Sequence, residues 1–240
     1  MLINDWCEWL FHVTTMRRIA FILAAVAALL ATAQTHYEGT ISVGGKAGAT
    51  FSRVNFNPTV QQSMLPGMTA GVMFRYIEEK HFGLVAELNL TQRGWREKLE
   101  ESAYTYSHNF SYLELPIMTH IFFGNQRVKG FFNLGPELNV MIGDGIKSNF
   151  AYQDAGGLDY FITNTRHIEQ MTMEIERRFD YGICAGAGME INLNSRHSLL
   201  LEGRFYYGLT DVFPNHKTDI FSSSNSMTVG VTLGYFYRLK

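Results

Sequence analysis

Ten side chains able to transfer protons or form ion pairs recur inside long, largely apolar stretches of the sequence. They are Lys46, Arg75, Glu87, Glu114, His120, Glu137, Glu190, Glu202, Arg204 and Arg238. Carboxylates held close to an imidazole can act as general acids and bases, or can pass protons along a path. The spacing singles out no pair, and one ion-pair network would account for all the glutamates together. We therefore interpret these residues as structural and predict no catalytic residue and no enzyme.

Other motifs with a reactive composition lack the context that their chemistry needs. The stretch 182–188, GICAGAG, is glycine-rich like a nucleotide-binding loop, but no helix follows it. Cys184 within it fits a small apolar strand residue better than a nucleophile. Asp144, Asp154 and Asp159 do not have the spacing of a calcium loop. The sequence therefore predicts no cofactor and no metal.

The charged side chains lie in eight runs in which apolar and polar residues alternate. The runs cover about 40–52, 67–79, 81–96, 108–124, 127–142, 175–193, 197–210 and 226–239. A period of two places alternate side chains on opposite faces of a strand. Leu113 and Leu115 thus share one face, while Glu114 and His120 share the other.

Two features of the runs favour a membrane barrel over a soluble sandwich. Their lengths, about 13–19 residues, exceed the roughly 5–6 of ordinary strands, and a tilted strand needs about 9–11 to cross a bilayer. Long links alternate with tight turns, as in outer-membrane barrels. We predict an all-β, eight-stranded antiparallel up-and-down transmembrane β-barrel in the outer membrane of a Gram-negative bacterium. An even strand number places both mature termini on the periplasmic side.

The interior of an eight-stranded barrel is just wide enough for side chains to fill. The polar face of the runs would form this interior, where buried charges must pair. Glycines on the same face would make room for the long side chains. Pro116 lies on this face too and removes a ladder hydrogen bond, which predicts a local bulge or kink.

Aromatic residues gather near the ends of the runs, as in the girdles of membrane barrels. The predicted girdle residues near the tight turns are Tyr76, Phe82, Phe122, Phe123, Phe131, Phe132, Tyr235 and Tyr237. Those near the long links are Trp95, Phe110, Phe179, Tyr181, Tyr207 and Phe213.

The N-terminal residues predict a cleavable secretion signal. Residues 16–33 begin with Met16 and two arginines, continue with an apolar stretch, and end in an A-x-A site before Gln34. Cleavage would fall between Ala33 and Gln34, so that 34–240 is the barrel domain. Residues 1–15 are then expected to be a spurious N-terminal extension that results from a mis-assigned start codon.

Composition excludes several other classes of protein. Twenty basic residues against 22 acidic ones leave a net charge of -2, so no nucleic-acid partner is expected. Cys184 is the one cysteine after the predicted cleavage site, which excludes an intramolecular disulfide framework in 34–240.

Three segments carry a resemblance to a known family. They read HFGLVAELNLTQRGW (81–95), SYLELPIMTHIFFG (111–124) and VKGFFNLGPELNVMIGD (128–144). Together with YLELP at 112–116 and GPEL at 135–138, they resemble the PorT-like outer-membrane β-barrels of Bacteroidota, which are also called porin-family proteins. The resemblance implies the barrel fold and, by the family's name, a link to protein secretion. It offers no catalytic motif to match.

The sequence thus predicts a non-enzymatic barrel in contact with outer-membrane lipid, with a structural, adhesive or secretion-accessory role. A protein or glycan partner would bind at loops 143–174 and 211–225, and the middle of the first loop is expected to form a hairpin. The alternatives are an outer-leaflet lipid-modifying enzyme, a narrow pore for small solutes, and a soluble periplasmic binder.

Overall fold

A computed structural model describes residues 39–99, 102–164, 168–173, 175, 177–213 and 221–239. The predicted signal at 16–33, its cleavage site between Ala33 and Gln34, and the extension 1–15 lie outside the described residues. From Gly39 onward the chain forms one compact unit.

The unit is built from eight long strands and one two-residue strand. Their bounds are β1 Thr40–Asn57, β2 Gln62–Ser63, β3 Leu65–Ile77, β4 Phe82–Glu97, β5 Tyr106–Gly124, β6 Val128–Ser148, β7 Phe179–Asn192, β8 His197–Asp211 and β9 Ser223–Arg238. The long strands correspond one to one with the eight predicted runs, and alternation of exposed and buried residues follows the predicted faces along most of their length.

The long strands form one closed antiparallel sheet. Their order is β4-β3-β1-β9-β8-β7-β6-β5, and β5 pairs again with β4, while β2 pairs with β4 only. Lys46 in the first strand lies opposite Gly71 of β3 on one side and Gly234 of β9 on the other. The predicted up-and-down barrel, closed by its first and last strands, is confirmed.

The two ends of the barrel differ in their connections. Short turns at 78–81, 125–127 and 193–196 define what we call the turn end, and the longer connections define the loop end. In two of the turns an asparagine fixes the backbone, because Asn125 and Asn194 each accept two backbone N–H groups at 2.8–2.9 Å. Such side-chain-stabilised turns suit tight reversals between strands.

The outer face carries a continuous apolar belt. Along β6, Phe132, Leu134, Leu138 and Val140 point outward and are 42–58% exposed. The outward series from Phe132 to Ile142, at about 3.4 Å per residue and a tilt of about 40°, spans about 26 Å along the barrel axis. This height matches the roughly 25 Å apolar band of membrane barrels.

The one bulge between β5 and β6 is not at Pro116. The register is the same at Glu114 and at Pro116, which lie opposite Asn139 and Glu137. The shift occurs between Ser111 and Tyr112. Of the bulge or kink predicted at Pro116, the bulge is therefore wrong, and the kink stays a prediction. Beyond the shift β6 presents its other face inward.

The loop 149–178 contains short helices instead of the predicted hairpin. They are a 3₁₀ turn at Tyr152–Gly157, the helix α1 at Asp159–Thr163, and a 3₁₀ turn at Glu169–Met171. The start of the predicted loop belongs to β6, which runs on to Ser148 and pairs with the lengthened start of β5. Among the described residues, no helix has the length and apolar character needed to cross a membrane.

Candidate functional site: the barrel lumen and its loop cap

The centre of the lumen holds an ion cluster of four residues from three strands. Lys46 on β1 contacts Glu87 on β4, with Nζ 2.6 Å from Oε2. Arg204 on β8 donates to both oxygens of Glu87, at 2.6 and 2.8 Å, and also contacts Glu202 at 2.7 Å. The side chains of Lys46, Glu87 and Glu202 are almost fully buried. Since buried charges require partners, this cluster ties β1, β4 and β8 together across the lumen.

A second cluster is centred on Arg93, which the sequence analysis missed. Its Nη2 lies 2.5 Å from Glu114 Oε1 and also contacts Glu137. The guanidinium stacks on Tyr206, with 4.0 Å between its carbon and the ring centroid. The sequence does indicate its position, because Arg93 continues the period-two series of inward-facing residues that begins at Glu87 on β4.

A third ion pair lies nearer the turn end. Arg75 on β3 donates to both oxygens of Glu190 on β7, at 2.6 and 2.9 Å. Its guanidinium carbon is 4.2 Å from the centroid of the Phe236 ring. The bidentate contact and the stacking on Phe236 leave the Arg75 side chain little conformational freedom, so the pair fixes the spacing of β3 and β7 on opposite sides of the lumen.

Two residues of the predicted set are not ion-paired with any described residue. His120 is buried, and its Nδ1 lies 2.7 Å from Asn133 Oδ1, while Asn133 donates to Glu202 at 2.8 Å. Arg238 lies partly exposed at the end of β9. The structure therefore places eight of the ten residues, together with Arg93, in three ion clusters.

Glycines on the inner face provide the room that these side chains occupy. A Cβ at Gly186 would lie 2.4 Å from Glu202 Oε1, and one at Gly182 would lie 2.7 Å from the Tyr206 ring. Both distances are shorter than real carbon contacts, so the long side chains fit only because a glycine faces each of them.

An apolar plug closes the turn end of the lumen. It consists of Met73, Ile77, Phe122, Phe131, Leu200 and Phe236. The assignment of Phe122 and Phe131 to the outer girdle is wrong, since they are 8% and 4% exposed and point inward. Their neighbours Phe123 and Phe132 take the outward positions and are more than half exposed. Strand alternation allows only one residue of each pair to reach the lipid.

The loop end is closed by a second apolar cluster, which we call the loop cap. Its buried strand residues are Val54, Phe56, Trp95, Tyr106, Phe110, Tyr112 and Met141, and its buried loop residues are Val60, Ala155, Phe161, Met171, Val212, Phe213 and Phe221. Trp95 lies within it, with ring centroids 5.6 Å from Phe110 and 5.7 Å from Phe213. The girdle prediction is wrong for these three residues, whereas Phe179 and Tyr181 do point outward.

Hydrogen bonds attach the loop to the barrel wall. The Tyr106 hydroxyl on β5 donates to the backbone oxygen of Met171 at 3.0 Å. The Gln170 amide donates to the Glu97 carboxylate on β4 at 3.0 Å, and both side chains are buried. The loop cap is thus a packed and hydrogen-bonded part of the fold.

Two small cavities lined by described residues lie between the plug and the loop cap. The larger has a volume of ≈ 30 Å³ and is lined by Arg93, Glu114 and Arg204 among others, while the smaller has ≈ 10 Å³. A water molecule needs about 10–15 Å³ of such volume, so the larger cavity has room for about two waters. Buried polar atoms without a protein partner, including Arg93 Nη1 and Thr232 Oγ1, line it. The cavities suit water and are too small for larger solutes.

The described residues contain no group of three or more histidine, cysteine, aspartate or glutamate side chains arranged to hold a metal ion. The GICAGAG stretch lies within β7 and pairs with neighbouring strands, so it does not form the loop before a helix that binds a phosphate. Cys184 is fully buried, with Sγ 3.5 Å from the backbone oxygen of Gly135. The described lumen side chains thus join strands across the barrel.

A family model described as outer membrane protein beta-barrel domain matches residues 32–214. Among solved structures, the outer membrane protein OprG from Pseudomonas aeruginosa matches at 10% identity, covering 85% of this chain and 96% of that chain, with a TM-score of 0.50. Neisserial surface protein A matches at 9% identity over 83% and 98%, with a TM-score of 0.46. At such identities the OprG match supports the fold alone. No curated protein matches the chain.

Proposed function

We propose that this chain, which belongs to the outer membrane protein beta-barrel domain family, is a non-conducting barrel that presents its loop cap at the cell surface as a binding platform. As a member of that family it is an outer-membrane β-barrel. The proposal has three parts: the lumen does not conduct, the loop end faces the outside of the cell, and binding takes place at the loop cap. The narrower PorT-like, Bacteroidota and secretion-accessory assignments remain predictions.

The filled lumen is the observation that carries the proposal. Going from the turn end to the loop end, the interior holds the apolar plug, the Arg75–Glu190 pair, the two larger ion clusters and the loop cap. A solute would have to displace both apolar closures and separate buried ion pairs. This favours a platform over a narrow pore.

The orientation follows the usual arrangement of outer-membrane barrels, in which short turns are periplasmic and long loops are extracellular. The turn end, with Thr40 and Arg238 beside it, would then face the periplasm. The loop cap would face the outside, where its buried side anchors it. Its outer side would be free to bind, and Ile162 of α1 is 62% exposed there.

The proposed partner is a protein or a glycan at the cell surface. A rigid loop surface binds with a smaller loss of conformational entropy than a flexible one, which favours recognition by the anchored loop 149–178. A non-enzymatic role is part of the proposal. It is supported by the position of the lumen carboxylates, which lie behind the loop cap where an external substrate does not reach them.

Cysteine labelling on intact cells tests the orientation. Thr172→Cys in the loop and Ser195→Cys in a short turn each add an exposed thiol. In a chain that starts at Gln34 after the predicted cleavage, Cys184 is the one native cysteine, and it is buried. We expect a membrane-impermeant maleimide to label Thr172→Cys on intact cells, and Ser195→Cys only after the outer membrane is permeabilised. Labelling of the turn variant on intact cells would reverse the orientation.

Planar-bilayer recording and a binding assay test the remaining parts. The purified barrel should show no steady conductance, whereas a large stable conductance would refute the closed lumen. Cells displaying the wild type should bind members of a panel of immobilised glycans and surface proteins. Cells displaying a variant with 152–171 replaced by a glycine-serine linker should lose that binding. Equal binding by the two would refute the platform.

A further inference from the structure

A polar depression lies on the outer face of β4, β5 and β6, between the apolar belt and the loop end. Arg96, Ser107 and Lys147 occupy one row across the three strands, because Arg96 pairs with Ser107 and Ser107 pairs with Lys147. The next row toward the belt consists of Gly94, Asn109 and Gly145. We call these six residues the Arg96–Lys147 patch.

The patch faces outward because its chain neighbours face the loop cap. Trp95 and Tyr106 are buried in the cap, and Ile146 packs against it, so Arg96, Ser107 and Lys147 must point away. Both cations are exposed, whereas Ser107 between them is buried. The bulge in the β5–β6 pair brings Lys147 to this face.

Gly145 leaves one side of the second row open. A Cβ at Gly145 would have no atom within 4 Å. Gly94 on the other side is buried and has a φ of +146°. A Cβ there would clash with the backbone oxygen of His108 and lie 3.0 Å from Leu65 Cδ2, so this side is already filled and a larger residue is strained. Asn109 therefore stands between two positions without side chains, and its amide donates to the Ser107 hydroxyl at 3.5 Å.

Neither cation of the patch forms an ion pair with a carboxylate of the described residues. No described carboxylate lies within the 4.0 Å ion-pair distance of Arg96 or Lys147. The two cations are two strand spacings apart, about 10 Å between their backbones. Long basic side chains can close that gap around one anionic group, with the hydroxyl and amide between them as further donors.

The height of the patch suits the edge of a lipid head-group layer. From Leu90 in the belt to Arg96 is about 15 Å along the barrel axis, for a strand tilted by about 40°. Basic side chains that bend back by about 6 Å bring their charges to about 9 Å above the belt. A head-group layer is about 5–8 Å thick on each side of the bilayer, so a phosphate projecting from it lies within reach.

We propose that the Arg96–Lys147 patch binds the phosphate of an anionic lipid head group. The two cations supply charge-assisted hydrogen bonds, Ser107 and Asn109 supply neutral ones, and the open space at Gly145 leaves room for the head group. This site lies on the lipid-facing wall and is separate from the surface of the loop cap.

Native mass spectrometry with dioleoyl phosphatidic acid in detergent micelles tests the site. The wild type should retain this lipid in preference to dioleoyl phosphatidylcholine. Arg96→Gln/Lys147→Gln should weaken retention by about 25-fold, since each basic residue at an anionic surface contributes about a factor of five. Gly145→Leu should also weaken it by filling the depression while leaving both charges in place.

The matched control is Arg53→Gln/Arg177→Gln, which removes two exposed loop-end cations outside the patch. It should change retention by less than about threefold, in line with general screening of surface charge. Equal retention by the patch variant and the wild type, or an equal loss in the control, would overturn the proposal. Full competition by millimolar inorganic phosphate would show a site for free phosphate and overturn the lipid assignment. Unchanged heat-dependent gel mobility of all variants would show that each one folds.

Discussion

Replacing Arg93 by methionine tests whether the lumen clusters stabilise the barrel as the geometry implies. Arg93→Met keeps a long apolar side chain and removes the one cation among the described residues that contacts both Glu114 and Glu137. Two carboxylates would then remain buried in the lumen, without the partner that compensates the loss of water.

The expected loss in free energy of unfolding depends on how deeply the two carboxylates are buried. Breaking a buried pair by removing one partner costs about 3–5 kcal/mol in free energy of unfolding. The ≈ 30 Å³ cavity borders both carboxylates and can supply about two waters to hydrate them. We therefore expect a loss near the lower limit, about 3 kcal/mol, which is roughly a 10²-fold change in the unfolding equilibrium.

Urea unfolding in detergent measures this loss. In a chain that starts at Gly39, Trp95 is the sole tryptophan, and its ring is fully buried in the loop cap. A red shift of its emission therefore reports unfolding. Arg53→Met serves as the control, because it removes an exposed cation and should change stability by less than about 0.5 kcal/mol.

A neutralised variant separates charge from packing. Arg93→Met/Glu114→Gln/Glu137→Gln removes the uncompensated charges, so it should recover more than half of the lost stability. A loss below about 1 kcal/mol in Arg93→Met would refute the reasoning. So would a neutralised variant no more stable than Arg93→Met alone.

Two further predictions concern space and pH. Gly186→Val should destabilise the barrel by about 1–3 kcal/mol in the same urea assay, because the valine Cβ would lie 2.4 Å from Glu202 Oε1. Unchanged stability would mean that the Glu202 side chain can move aside without cost. Burial lowers the pKa of His108, despite its contact with Asp144 at 3.3 Å. An unfolded histidine titrates near pH 6.5, so the cap should lose stability as pH falls through about 6.5 toward the lowered folded value. Amide hydrogen exchange at pH 7.5 and 5.5 should show this loss in the wild type and not in His108→Gln.

Strand alternation made much of this architecture predictable. A period of two has a direct physical cause in the pleated backbone, so the faces of Glu114 and Glu137 follow from their neighbours alone. The same rule, applied to every position of β4, would have identified Arg93. The girdle errors at Phe122 and Phe131 arose because position near a strand end was used without the face of the strand.

The bulge and the loop cap had no comparable signal. One extra residue in β6, Ile142, lies opposite the step from Ser111 to Tyr112 in β5. It reverses the face of β6 beyond it, which places Asp144 beside His108. No local motif marks this shift. The helices of 149–178 are too short to form alone, and they depend on packing against strands that lie far away in the sequence.

The ion cluster at Lys46 has a consequence for how the barrel is assembled in the membrane. Glu87 and Arg204 are separated by 117 positions, and Lys46 comes from the strand that closes the ring. An incomplete sheet would hold these charges without partners, next to hydrocarbon. Insertion intermediates should therefore be short-lived. The first and last strands should pair in a single cooperative step, which closes the ring and pairs the charges of the interior.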